Sequence, residues 1–186
     1  LDPAGREVWR KVGVATADEL KAALKQAQQA WEKLPAASRP RVLFVSVDPD
    51  RDVQLYVNCE GGDPSAMLAV LDTMRYIRPD VATTCVGQAI SVGAVLLAAG
   101  APGKRSALSH ARVVLHQPSA QGRGPIPDLI LQADELVRVR SDIEAVLATA
   151  TGRPLAQLRA DTDRDRVFTA ESARDYGLID VVMTGR

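Results

Sequence analysis

The sequence is poor in the residues that build metal sites and disulfides. Its 186 residues hold two cysteines, Cys59 and Cys85, and two histidines, His110 and His116. Neither pair has metal-ligand spacing, so no metal is expected and no cofactor is implied. The two thiols, each at the end of a predicted strand, are expected to be reduced and structural. An excess of charge is also missing. Lysine and arginine total 23 and aspartate and glutamate total 23, a balance without the field that attracts nucleic acid or an anionic membrane. Long apolar runs are absent too. The longest, around residues 92–101, is about half of the ~20 residues that a membrane span needs, and the opening LDPAGREVWRK has no signal-peptide core. The expectation is a soluble, cytoplasmic chain with no nucleic acid and no membrane among its partners. Internal repeats, low-complexity tracts and a nucleotide-binding loop are all lacking. The first residue is Leu1 rather than methionine, so further sequence is expected upstream.

What is present suits one globular α/β domain, since 46% of the residues are hydrophobic and this length leaves little room for a second core. Residues 16–34, TADELKAALKQAQQAWEKL, open on a capping box formed by Thr16 and Glu19 and repeat apolar residues at helical spacing. The tract PAASRP ends that helix, and RVLFVSV, 41–47, is rich in branched residues and predicts a strand. A second strand, VQLYVN, starts at Val53. Strands and helices then alternate: a helix over 65–77, a strand from Val81, a helix from Ser91 and a strand over 112–116. This alternation predicts a parallel sheet with crossover helices. Residues 126–150 form a long amphipathic helix with Leu129, Ala133, Leu136, Ile143 and Leu147 on one face, ended by Gly152. That stripe needs a cover. A short helix near Pro154, the charged loop DTDRDR, a helix over 170–176 and a last strand, LIDVVM, complete the chain.

In GQAISVGAVLLAAG, residues 87–100, Ser91 stands between a glycine-punctuated turn and a buried helix. A serine at a helix start is ordinarily a cap. Three features support a nucleophile instead. Gly93 and Ala94 allow close backbone approach, and the amide of Val92 at the helix start can face a developing oxyanion. In NCEGG, Gly61 and Gly62 can offer a second amide without steric hindrance, although paired glycines after a strand commonly mark only a turn. His116 ends a strand, where active sites of parallel sheets gather, and can act as the base. His110 sits in the polar loop ALSHAR and reads as solvated. Lys104, an alternative base, lies in the turn-like APGKRS. Asp161, Asp163 and Asp165 can each orient an imidazolium, and the residues alone do not choose among them. The chain order excludes α/β-hydrolases and the chymotrypsin-like and subtilisin-like enzymes, and AISVG lacks the first glycine of a nucleophile elbow.

Successive stretches LYVNCEGG, DTMRYIRPDVATTCVGQAISVGA, GKR, ARVVLHQP and DTDRDRVFTAESARDYGLID resemble, in order and without gaps, the proteolytic subunit of the Clp protease. The resemblance covers residues 48–186 and implies a crotonase-like fold of repeated strand–helix units with a long protruding helix. It implies a serine endopeptidase with Ser91 as nucleophile, His116 as base 25 residues later and Asp165 as orienter a further 49 residues on, with oxyanion amides at Gly62 and Val92. It also implies an unfolded polypeptide or peptide as substrate, an ATP-dependent unfoldase as partner, and stacked heptameric rings that can include a paralogous subunit. The family carries serine and proline where Cys59 and Glu60 stand, and alanine and methionine where Ile90 and Val92 flank Ser91. These departures motivate an alternative expectation, a catalytically weak or structural paralogue in a mixed ring. An acyl-CoA enzyme of the crotonase type would share the scaffold but does not need serine, histidine and aspartate together. Residues 1–47 match the family least and are expected to form an atypical N-terminal helix and strand packed on the main domain. The stretch RVLFVSVDPDRD resembles thioredoxin-like copper-chaperone proteins but lacks their cysteine pair and histidine, so their chemistry is not carried over.

Overall fold

The computed structural model describes residues 51–119 and 122–184. The helix expected over 16–34, the strand over 41–47 and the remainder of segment 1–47 lie outside the described residues. The chain divides into two units, Leu1–Val53 and Gln54–Arg186, and the first strand below begins at that boundary. In order the elements are β1 (Val53–Cys59), α1 (Pro64–Tyr76), β2 (Val81–Ile90), α2 (Val92–Ala98), β3 (Arg105–Leu108), β4 (Arg112–Leu115), α3 (Ile126–Thr151), α4 (Leu155–Asp161), β5 (Arg166–Thr169), α5 (Ala170–Tyr176) and β6 (Val181–Met183).

The six strands form one sheet in the order β5-β4-β2-β3-β6, with β1 also paired to β2. Its central strand, β2, is buried at every residue from Val81 to Cys85, as a strand covered on both faces must be. The pairs β2–β3, β2–β4 and β3–β6 are parallel, as the strand–helix alternation predicts. The β4–β5 pair is antiparallel, which departs from the wholly parallel expectation. The four residues RVFT of β5 follow the charged DTDRDR, and that polarity masked a short strand. β3 was also missed, because APGKRS reads as a turn. Gly103, at φ 79°, does make the turn, but Arg105 immediately beyond it enters the sheet.

Burial of Arg105 is achieved by complete hydrogen bonding. Its Nε and Nη2 donate to the Asp180 carboxylate at 2.9 and 2.6 Å, and its Nη1 donates to the carbonyls of Ala98, Ala150 and Gly177. These three carbonyls lie at the C-terminal ends of α2, α3 and α5, where unpaired oxygens carry partial negative charge. One guanidinium therefore ties three helix ends to the sheet. The Arg105 hydrogen bond, first of all, holds the Asp180 carboxyl below the usual carboxylate range.

α3 has 26 residues, roughly 39 Å at 1.5 Å per residue. Gly152 caps it in the left-handed conformation at φ 69°. Only its C-terminal half packs into the subunit, through Val139, Ile143, Glu144, Val146 and Leu147. The predicted stripe is thereby divided. Ile143 and Leu147 are buried in their own subunit, Leu129 and Leu136 are half-buried and Ala133 is exposed. The uncovered apolar surface lies on other residues, Ile126, Ile130, Leu131 and Val137, each more than half exposed. Helical spacing identifies an apolar face, not what covers it. Among the described residues no helix is long and apolar enough to cross a membrane.

Candidate active site

Ser91 occupies the junction between β2 and α2. Ile90 pairs with Val114 in the parallel β2–β4 ladder, and the Ser91 amide donates to the Val114 carbonyl at 2.9 Å. On the other side all seven residues of α2 are buried. Held at both ends, Ser91 adopts φ 56° and ψ −117°, the one positive φ of a non-glycine residue among the described residues. Such backbone costs on the order of 1–3 kcal/mol and persists only where its surroundings impose it. Ser91 stands at the N-cap position, yet its hydroxyl makes no capping hydrogen bond. Where this fold uses caps they are formed: Asp63 Oδ1 accepts from the Ala66 amide at 2.8 Å and Thr169 Oγ1 from the Ser172 amide at 3.2 Å.

The loop after β1 lies against this junction. Gly61 has φ 124°, a conformation that side chains resist, and a Cβ there would stand 3.9 Å from that of Ser91. Gly93 must lack a side chain for another reason: a Cβ would fall 2.7 Å from the Cβ of Cys59. The close contact of α2 with the end of β1 sets the Cys59–Gly62 loop beside the serine. The Cys59 thiol is spent internally, donating to the Gly61 carbonyl at 3.3 Å. Burial pushes the Cys85 thiol up to about 11, leaving it protonated and inert.

Ser91, Val92, Gly62 and His116 line one pocket of about 260 Å³, whose walls also include Val95, Leu115, Ile143 and Leu147. The long helix thus supplies part of the wall. His116 follows β4 directly, half-buried, and its Nδ1 lies 2.8 Å from the carbonyl oxygen of Gln117. A carbonyl only accepts, so Nδ1 carries the proton, and in the neutral ring the lone pair is then on Nε2. Asp165 is exposed, lies outside the pocket lining and has no hydrogen bond to His116. The expected pair of serine and histidine is brought together, and the aspartate is not.

The rival residues are placed elsewhere. His110 is exposed in a turn and outside the lining, and Lys104 Nζ pairs with Asp80 at 3.0 Å beside β3. Asp161 accepts from the Tyr176 hydroxyl at 2.6 Å and also pairs with Arg166. Asp163 is exposed, its carboxylate 3.8 Å from Arg164.

A buried carboxylate beside the site escaped sequence reasoning. Glu144 receives Arg140 Nε at 2.8 Å and Arg159 Nη2 at 2.7 Å. Arg140 Nη1 continues to the Gln117 side chain at 2.9 Å, and Gln117 Nε2 donates to the Asp163 carbonyl at 3.1 Å. Gln117 is further fixed by its amide on the Thr162 carbonyl. This chain of bonds ties α3 to the His116 loop and to the loop that carries Asp165. The Arg159 hydrogen bond, followed by that of Arg140, holds the Glu144 carboxyl below its ordinary value against the opposing effect of burial. The i,i+4 spacing of Arg140 and Glu144 is visible in the sequence; the burial that makes the pair consequential is not.

Comparison with known proteins matches residues 25–186 to the Clp protease family. The ATP-dependent Clp protease proteolytic subunit 1 of Nocardia farcinica is 68% identical over 141 residues, 76% of this chain and 72% of that protein. Subunit 4 of Rhodococcus jostii is 56% identical over 134 residues, 72% of this chain and 69% of its own, and subunit 3 of Frankia casuarinae is 51% identical over 147 residues, 78% and 69% respectively. With the family model spanning most of its length, the chain belongs to the Clp protease family.

Proposed function

We propose that this chain is the proteolytic subunit of an ATP-dependent Clp protease and that it cleaves peptide bonds as a serine endopeptidase. The observation that carries this reading is Ser91 itself, a serine at positive φ, freed from capping, in one pocket with His116 and with the residues of two candidate oxyanion amides. The Ser91 hydroxyl attacks the scissile carbonyl carbon while His116 Nε2 takes its proton. The Val92 and Gly62 amides donate to the oxyanion, and His116 returns the proton to the leaving amine as the acyl-enzyme forms. Water, activated by the same imidazole, then releases the acid and regenerates the serine.

Asp165 has the third role, holding the imidazolium by its Nδ1–H. The Gln117 carbonyl already selects the tautomer that leaves Nε2 basic, but it offers no full negative charge to stabilise the cation. Activation therefore requires Nδ1 to exchange the carbonyl for Asp165, and the two loops that carry these residues are joined by the Gln117 amide on the Thr162 carbonyl. The ATP requirement is assigned to a partner unfoldase, because the sequence has no nucleotide-binding loop. The uncovered apolar half of α3 supports docking of one ring on another.

A second reading has an observation in its favour. The bond from His116 to Gln117 in place of Asp165 fits a weak or structural paralogue that works beside an active one, and Frankia casuarinae has proteins named as subunits 2 and 3. A serine-reactive phosphonate, located by mass spectrometry, distinguishes the two. The protease reading expects labelling at Ser91 that is lost in His116→Ala; equal labelling of both proteins would remove the histidine from the mechanism.

A further inference from the structure

The pocket beside Ser91 has two chemical faces. Val92, Val95, Leu115, Ile143 and Leu147 give it an apolar wall, whereas Glu60, exposed, is the one acidic side chain in its lining. Among the described residues Glu60 takes part in no ion pair, and the lining includes no lysine or arginine. One residue, Gly61, separates it from Gly62, and both line the pocket in which negative charge develops during attack. An unneutralised acid there opposes the reaction, since stabilising the oxyanion is what such a site must accomplish. Among the described residues the lining supplies no lysine or arginine to offset it. A substrate can.

The pocket's size limits what that substrate inserts. At about 260 Å³ it falls just under the ~300–1,000 Å³ of sites that enclose a drug-sized ligand, and it suits a single side chain. An apolar lining with one exposed carboxylate among its residues fits a long aliphatic stem with a cationic tip, because lysine and arginine bury their methylenes and keep the charge at the rim. Resting on the peptidase reading above, we propose that Glu60 makes this site select peptides that place a lysine or arginine side chain in the pocket next to the scissile bond.

The test uses the full chain and fluorogenic peptides identical except for lysine, methionine or glutamate before the reporter. Methionine is an unbranched side chain one atom shorter than lysine and without its charge. The expected order of kcat/KM is lysine, methionine, glutamate, with lysine over methionine by roughly three- to tenfold, the size of a rim charge pair. The ratio should shrink between 0.1 and 1 M salt as the screening length falls from about 10 to about 3 Å. Glu60→Gln should bring the ratio near one, and Glu60→Lys should favour the glutamate peptide. A wild-type preference for methionine, or a lysine preference that survives in Glu60→Gln, overturns the proposal. If Ser91 is labelled but turnover is too slow to measure, labelling rates with lysine-type and methionine-type peptide phosphonates give the same comparison. Absence of both labelling and cleavage removes the peptidase reading, and the selectivity falls with it.

Discussion

The two sides of the pocket are built by different means. The Ser91 side is fixed by backbone: a parallel ladder to β4, a helix buried at all seven residues and a glycine contact that excludes even a methyl group. The His116 side is fixed by side chains on loops, through Gln117, Arg140 and the buried Glu144. A single subunit can hold a strained serine against a packed core. It has less with which to hold the aspartate loop, whose support reaches back to a helix half of which is uncovered. On the proposed mechanism the core therefore holds Ser91 in place, whereas alignment of His116 with Asp165 rests on loops tied to α3.

Removing the reacting groups from both sides of the pocket has the largest expected effect. Ser91→Ala and His116→Ala should each lower kcat by up to about 10⁶ with unchanged circular dichroism, as members of a catalytic unit do. A residual rate within tenfold of wild type would place the reaction elsewhere. Next in size is the support of α3. Ile130→Glu with Val137→Glu changes only exposed positions, so the fold should survive while light scattering reports a smaller assembly. Peptide hydrolysis should fall roughly 100-fold, as a misplaced acid–base pair loses its geometry. An unchanged mass would mean that this face is not a docking surface.

A smaller effect is expected at the link between the two regions. Glu144→Gln keeps one acceptor but removes the charge that Arg140 and Arg159 share. Stability should drop by about 1–3 kcal/mol and hydrolysis by about tenfold, measured by urea unfolding and peptide assay. The pH dependence has a definite sign. Because the folded state depresses this carboxyl, its contribution is present above the ordinary carboxylate range and is lost as pH falls through the folded value. The stability gap between wild type and Glu144→Gln should therefore close in acid, and a gap that persists there would contradict the ion-pair origin. The smallest effect is expected at Asp161→Asn. Losing the charge that faces Tyr176 and Arg166 should cost about 1 kcal/mol and leave hydrolysis within twofold, and a larger kinetic loss would return Asp161 to the site.

Much of this was legible beforehand where one physical signal dominated. The extended apolar tracts gave β1 and β2, and the 3.6-residue periodicity gave the long helix to within one residue of its observed end at Thr151. β3 and β5 were obscured because their polar residues are paired outside the strand that carries them: Arg105 needs Asp180, and Arg166 faces Asp161. For Ser91 the sequence offered two roles, and the positive φ and the unformed cap, which favour the second, have no sequence signature. Of the three aspartates, local sequence cannot tell that Asp161 is committed to Tyr176, because that residue is brought near by the fold. The bond between His116 and the adjacent carbonyl has no sequence signature.

On the proposed mechanism Ser91 stands ready while Asp165 must replace the Gln117 carbonyl on His116 Nδ1. The most direct measurement is kcat of Asp165→Asn beside Asp163→Asn in the same peptide assay. Loss of the charge on the imidazolium should lower kcat by roughly 10⁴ in Asp165→Asn alone, with secondary structure preserved. A loss below tenfold, or one equal to that of Asp163→Asn, would contradict the account and leave the Gln117 carbonyl as the working support of the histidine.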